Sequence, residues 1–124
     1  MGQDCQKIVE EFWAAFGRHD LEGALGYLTD DCEHDDKPVG VNRGKDAIRD
    51  FFAPQMESMV SFRAELGETL VVGNVVMNER VDFVELKGGK KAALPVMGSF
   101  YIQDGKIAIW RDYYDMESFK KQIS

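Results

Sequence analysis

The chain has 124 residues, 44% of them apolar and 30% charged, with a formal net charge of -7. That length suits one domain with a substantial core and excludes two ordinary ones, so residues 1–124 are read as a single domain. The acidic balance argues against nucleic acid or an anionic membrane as partner, because both require clustered Lys and Arg.

The N-terminus, MGQDCQKIVEEFW, mixes charges and lacks the apolar core of a signal peptide. No run of about 18 apolar residues follows that could span a bilayer, so the expected setting is cytoplasmic. The same stretch lacks the Ser or Thr of an N-myristoylation signal, which makes Gly2 a poor anchor. Cys5 and Cys32 have no CxxC or Cys/His spacing, so free thiols and no structural metal are expected.

From Asp4, read as an N-cap, the apolar residues Ile8, Val9, Phe12, Trp13 and Phe16 recur every three or four positions, which predicts a helix ending at Gly17. A short second helix is predicted after Asp20, with Leu21, Leu25 and Leu28 inward, and His19 sits at the boundary between the two. A short strand over Cys32–Asp35 leads into a loop punctuated by Pro38, Gly40 and Gly44. The third helix spans about Lys45–Met59 and carries Ile48, Phe51, Phe52 and Met56, with Pro54 as a possible kink or break.

Beyond Met59 the chain is rich in Val, Phe, Ile and Tyr and is divided by the turn signals VGN, KGGKK and QDGK. Four strands are predicted, at about 61–72, 75–86, 91–103 and 106–114, and MESFKKQI closes the chain as a helical turn. Three helices followed by an antiparallel meander describe an α+β fold with helices on one face of the sheet. A sheet that curls in this arrangement encloses a pocket between its concave face and the helices.

Side-chain alternation puts Val76, Asn78, Arg80, Asp82 and Val84 on one face of their strand, and Ala108, Trp110, Asp112 and Tyr114 on one face of theirs. Charged residues two apart also describe a wet sheet face, where an ion pair is worth roughly 0–1 kcal/mol. If the face is instead concave, Arg80, Asp82 and Asp112 meet. Two carboxylates close together in a low dielectric resist ionising together, so one keeps its proton while an Arg between them balances the other. The pair then offers an acid and a base, which suits addition of water across a strained ring with no metal or cofactor.

The sequence NERVDF, followed some thirty residues later by GKIAIWRDYYD, resembles the limonene-1,2-epoxide hydrolase family, within the larger NTF2-like (SnoaL-like, steroid-isomerase-like) group. The resemblance covers most of the chain. It implies an NTF2-like cone, a curved mixed sheet with N-terminal helices around a deep apolar pocket, often as a homodimer. It also implies cofactor-free hydrolysis of an apolar epoxide, with Asp112 as base for water, Asp82 as acid for the epoxide oxygen and Arg80 as the bridge.

Aligned through RGKDAI, the family's water-positioning Tyr falls on His34 and its Asn on Asp36, which become the candidate water- or substrate-positioning residues. Asp36 adds a third carboxylate to the site. Val84, Val96, Phe100, Trp110 and Tyr114 share parity with the triad or its facing strand and are the expected pocket lining. Trp13, Phe16, Phe51 and Phe52, at helical spacing, are assigned to the core. DDCEHDDKPVG is also similar to the steroid isomerases, with Asp35 or Asp36 as a proton shuttle. A SnoaL-like or isomerase-like proton-transfer enzyme is therefore the alternative, and a non-catalytic small-molecule binding module of the same fold is the third reading.

Overall fold

The computed structural model describes residues 2–124, with side chains from residue 4 onward; the surroundings of Gly2 lie outside the described residues. Helices α1 (Gly2–Gly17) and α2 (Leu21–Leu25) precede strands β1 (Leu28–Asp36) and β2 (Gly40–Arg43). Helix α3 (Lys45–Ser58) is followed by β3 (Met59–Val72), β4 (Val75–Leu86), β5 (Lys91–Gln103), β6 (Lys106–Tyr114) and α4 (Met116–Ile123). The six strands form one sheet in the order β2-β1-β6-β5-β4-β3. All neighbours are antiparallel except β1 and β6, which makes the sheet mixed.

The predicted face of α1 is the buried one: Val9, Phe12, Trp13 and Phe16 enter the core. Phe12 packs edge-on against Trp110 with ring centroids 4.9 Å apart, so the helix lies over the strand that carries Asp112. Asp4 is not the cap, because α1 begins before it; it is the acidic residue of the first turn, where it complements the helix dipole. Asp20 does cap α2, accepting the Gly23 N–H at 2.9 Å. His19 holds the boundary in a left-handed conformation (φ 62°) while its Nε2 lies 2.7 Å from the Met56 carbonyl of α3.

Three expectations need correction. Leu28 belongs to β1 and not to α2, because Gly23 and Gly26 leave too weak a helix to continue past Leu25. The strand expected at 32–35 runs from Leu28 to Asp36, and the loop after it contains β2, which pairs His34 with Asn42. Both segments are acidic or Gly-rich and poor in strand formers, so pairing partners and not local propensity make them strands. Helix α3 runs through Pro54 without a break.

Val81 and Phe83 project from the outer face of β4 and are only half-buried, with the Arg63 guanidinium 4.3 Å from the Phe83 ring centre. The inner face of the same strand buries Val76, Asn78, Arg80 and Asp82. Six polar or charged side chains are thus buried on the inner face of the sheet: Asn78, Arg80 and Asp82 from β4, Asp112 from β6, and His34 and Asp36 from β1.

Candidate active site

The inner face of the sheet and helices α1, α3 and α4 enclose a cavity of about 450 Å³. Arg80, Asp82 and Asp112 meet on its wall. Arg80 Nε donates to Asp82 Oδ1 at 2.8 Å and Nη2 to Asp82 Oδ2 at 3.2 Å. On the other side Nη1 and Nη2 donate to Asp112 Oδ1 and Oδ2 at 2.9 and 2.8 Å. One guanidinium therefore grips both carboxylates in a two-pronged fashion, a geometry that its planar donor set permits and an ammonium group does not.

The register explains how residues from distant strands converge. Gly98 of β5 lies between β4 and β6, opposite Asn78 on one side and Asp112 on the other. A Cβ on Gly98 would stand 2.9 Å from Arg80 Nη1 and 3.3 Å from Asp112 Oδ1, so the bare backbone at this position gives the guanidinium room to cross β5. On its opposite side the guanidinium stacks over Trp13, 4.0 Å from the ring centre.

Arg80 is 4% exposed, Asp82 9% and Asp112 6%, so the wet-face reading of these residues does not hold. Burial opposes the Arg80 charge, but the two carboxylates together outweigh it and hold the group protonated. Burial pushes the Asp82 carboxyl upward; Arg80 opposes this and the Asp112 charge reinforces it. A buried set of one guanidinium and two carboxyl groups is neutral overall when one of the carboxyls carries a proton.

His34 and Asp36 also line the cavity. The Asn42 side-chain amide faces His34 Nδ1 at 3.2 Å, and with that amide donating, the ring proton sits on Nε2. Burial pushes His34 down to about 4, so the imidazole is neutral at pH 7. Its ring lies 4.0 Å from that of Trp110. Asp36 and Asp112 are partners in the parallel β1/β6 pair. Burial pushes Asp36 up to about 6, opposed by the Tyr114 hydroxyl and by Arg80, and reinforced by the charges of Asp112 and Asp35. Its Oδ1 has no hydrogen-bond partner within the protein. The Tyr114 phenol is itself raised, by burial first and then by Asp36.

Val84, Val96, Trp110 and Tyr114 line the cavity as expected. Phe100 does not: it is fully buried behind the wall, 6.4 Å from the ring centres of Phe12 and Trp13. Trp13, Phe16, Phe51 and Phe52, assigned above to the core, do reach the cavity. Helical periodicity marks the inward face of a helix but does not say whether that face meets side chains or a cavity. Gly98 and the α4 contacts with the cavity were missed, since neither leaves a local signature in the sequence. Among the described residues no three His, Cys, Asp or Glu side chains are grouped to hold a metal ion, and no helix is long and apolar enough to cross a membrane.

The fold is the NTF2-like cone. The model of the limonene-1,2-epoxide hydrolase catalytic domain family matches residues 3–124. The chain is 29% identical over 116 residues to epoxide hydrolase EphG of Mycobacterium tuberculosis, an alignment that covers 93% of this chain and 76% of EphG. Among solved structures, an LEH-like epoxide hydrolase of M. tuberculosis superposes with a TM-score of 0.85 at 24% identity, over 98% of this chain and 90% of that one. A putative polyketide cyclase from Xanthomonas campestris reaches 0.84 at 25% identity, over 99% and 98% of the two chains. The fold is thus shared by proteins assigned to different chemistries, while the family model covers nearly the whole chain: it belongs to the limonene-1,2-epoxide hydrolase catalytic domain family.

Proposed function

We propose that the protein hydrolyses a small or medium-sized apolar epoxide to a diol, without a cofactor, at the Asp82-Arg80-Asp112 site. The observation that carries this reading is the four-bond grip of Arg80 on both carboxylates at the wall of an apolar-lined cavity. Asp112, held by Arg80, takes a proton from water as the water oxygen bonds to a ring carbon. The carbon–oxygen bond of the ring breaks at the same time, and Asp82 gives its proton to the departing oxygen. Asp112 ends protonated and Asp82 ionised, and exchange of one proton restores the starting state.

Each half of this acid–base assistance is worth roughly 10²- to 10⁴-fold in rate. The raised Asp82 carboxyl supports its role as acid, and the guanidinium keeps the pair electrically balanced before and after transfer. His34, through Nε2–H, and Asp36, through its unpaired Oδ1, are the groups available to orient the water beside Asp112. The substrate is apolar because, apart from these polar groups, Gln55, Ser58 and the Tyr114 hydroxyl, the cavity is walled by Phe, Trp, Val, Leu, Ile and Met side chains.

A second reading, proton transfer within a carbonyl substrate, is favoured by one observation: Asp36 is a cavity carboxyl with its ionisation raised to about 6, where a proton shuttle operates well. Incubation with a panel of epoxides in ¹⁸O-water separates the readings. The hydrolase gives diol carrying one ¹⁸O, and Asp112→Asn abolishes it. Solvent-deuterium uptake by ketones without labelled diol supports the second reading, and neither signal supports a binding module.

We also read the protein as a homodimer. The outer face of the sheet exposes Leu70, Val72, Met77 and Met97, apolar surface of the kind that an identical subunit covers. Sedimentation equilibrium giving the mass of one chain at micromolar concentration contradicts this.

A further inference from the structure

Strand β5 outruns its neighbour. It pairs with β4 from Lys91 onward, but with β6 only from Val96, so residues 91–95 have no strand on their second side. Helix α4 lies there instead. Its Gln122 side chain accepts the Ala93 N–H at 2.7 Å and donates to the Ala93 carbonyl at 3.0 Å, satisfying both backbone groups that a further strand would have paired. Asp115 caps the helix by accepting the Glu117 N–H at 3.0 Å.

The face that α4 turns inward consists of Met116, Phe119 and Ile123, at positions i, i+3 and i+7, and all three line the cavity. None of them is fully buried. They are held partly in solvent on one side and against the cavity on the other. The helix therefore buries little apolar surface of its own, and the two bonds from Gln122 tie it directly to the sheet edge.

We propose that α4 is the roof of the substrate cavity, clasped to the free edge of β5 by Gln122, and that Phe119 and Met116 set the length of apolar chain the site accepts. This rests on reading the cavity as an apolar-substrate site. A chain entering from the triad gains affinity with each methylene it buries, about fourfold per group, until its end meets Phe119. Longer chains must displace the helix, and their affinity then falls.

Two measurements test this on the intact protein. A series of 1-alkanols from butanol to dodecanol, titrated against bound Nile red, gives affinity against chain length without any turnover. The same series as terminal 1,2-epoxides gives kcat/KM against length. In the wild type both profiles rise and then break. Phe119→Ala moves the break about two carbons longer in both, since the ring no longer closes that end of the cavity. A break at an unchanged length in Phe119→Ala overturns the roof.

Hydrogen exchange supplies the independent arm. In Gln122→Ala the Ala93 amide exchanges about fivefold faster or more, as expected for one lost hydrogen bond, while the amides of β4 keep their rates. An Ala93 rate equal to that of the wild type overturns the clasp. If alkanols show the shift but no epoxide is turned over, the hydrolase reading fails and the roof stands. Epoxide turnover with an unmoved length profile has the opposite meaning.

Discussion

Gly98 and Arg80 are matched across β4 and β5: a methyl group on Gly98 would stand 2.9 Å from Arg80 Nη1. The absence of a side chain on one strand thus makes room for the charged cluster on the next. The same methyl would lie 3.0 Å from the Phe100 ring, which is fully buried and has little room to retreat. The guanidinium is the group that must give way.

Gly98→Ala is therefore expected to cost about 1–3 kcal/mol in stability, the usual range for overpacking. Its effect on activity is expected to be larger in proportion, because Arg80 holds both carboxylates of the proposed acid–base pair and a shift of about 1 Å is worth roughly 10²-fold. Urea denaturation and kcat/KM with one epoxide check the pair of effects. A variant with wild-type kinetics and reduced stability would mean that Phe100 moves instead.

Arg80→Lys keeps the charge and loses the fork. Four hydrogen bonds to two carboxylates cannot be made by one ammonium in the same geometry. The variant is expected to lose up to about 3–5 kcal/mol, the range for a broken buried charge pair, together with nearly all activity. Asp82→Asn removes the proposed proton donor and one of the two oxygens that accept from Arg80, but leaves a side chain of the same shape, so the fold should remain in place with kcat lowered roughly 10²- to 10⁴-fold. Circular dichroism melting and steady-state kinetics distinguish these two kinds of loss.

The pH dependence of stability contains two opposed contributions. Asp36 has a folded value of about 6, above its ordinary 3.8, so between these values the folded state holds the proton more tightly and stability falls as pH rises. His34 has a folded value of about 4, below its ordinary 6.5, so between those values the unfolded state binds the extra proton and stability rises with pH. The unfolding free energy of wild type minus that of Asp36→Asn should therefore decline from pH 4 to 6 and then level off. Wild type minus His34→Gln should climb from pH 4 to 6.5. Guanidinium titrations at several pH values check both slopes, and a slope of the opposite sign in either difference refutes the assignment.

Cys32 gives a probe that does not depend on function. It is fully buried in β1, and burial first, then the charges of Asp31 and Glu33, push its thiol up to about 12. The folded protein should leave Cys32 unmodified by iodoacetamide at pH 8, with alkylation beginning only in denaturant. Mass analysis of the Cys32 peptide reads this directly.

The meander from β3 to β6 was legible because its strands alternate and its turns are marked by Gly and Asn. Arg80, Asp82 and Asp112 could be placed on one face from parity alone, since a strand leaves only two choices. The N-terminal half resisted for a different reason. β1 is acidic and β2 is four residues long, and both exist because β6 and each other supply hydrogen bonds that no local preference announces. Phe100 shows the limit of parity: it shares the inward face but sits too deep, beneath α1, to reach the cavity. Gln122 was invisible because its role depends on β5 being longer than β6.

The parallel pairing of β1 with β6 also governs when the site comes into being. β1 is the first strand of the chain and β6 the last, and Asp36 meets Asp112 only when they join. The meander can zip up through neighbouring turns, whereas this pair must close the long loop between Asp36 and Asp112, a contact that is slow to form. Recovery of activity during refolding should lag behind recovery of β-structure. If the proposed hydrolysis holds, turnover then serves as a clock for the last topological step, because a partly folded form in which β1 and β6 have not joined lacks the His34 and Asp36 wall of the cavity.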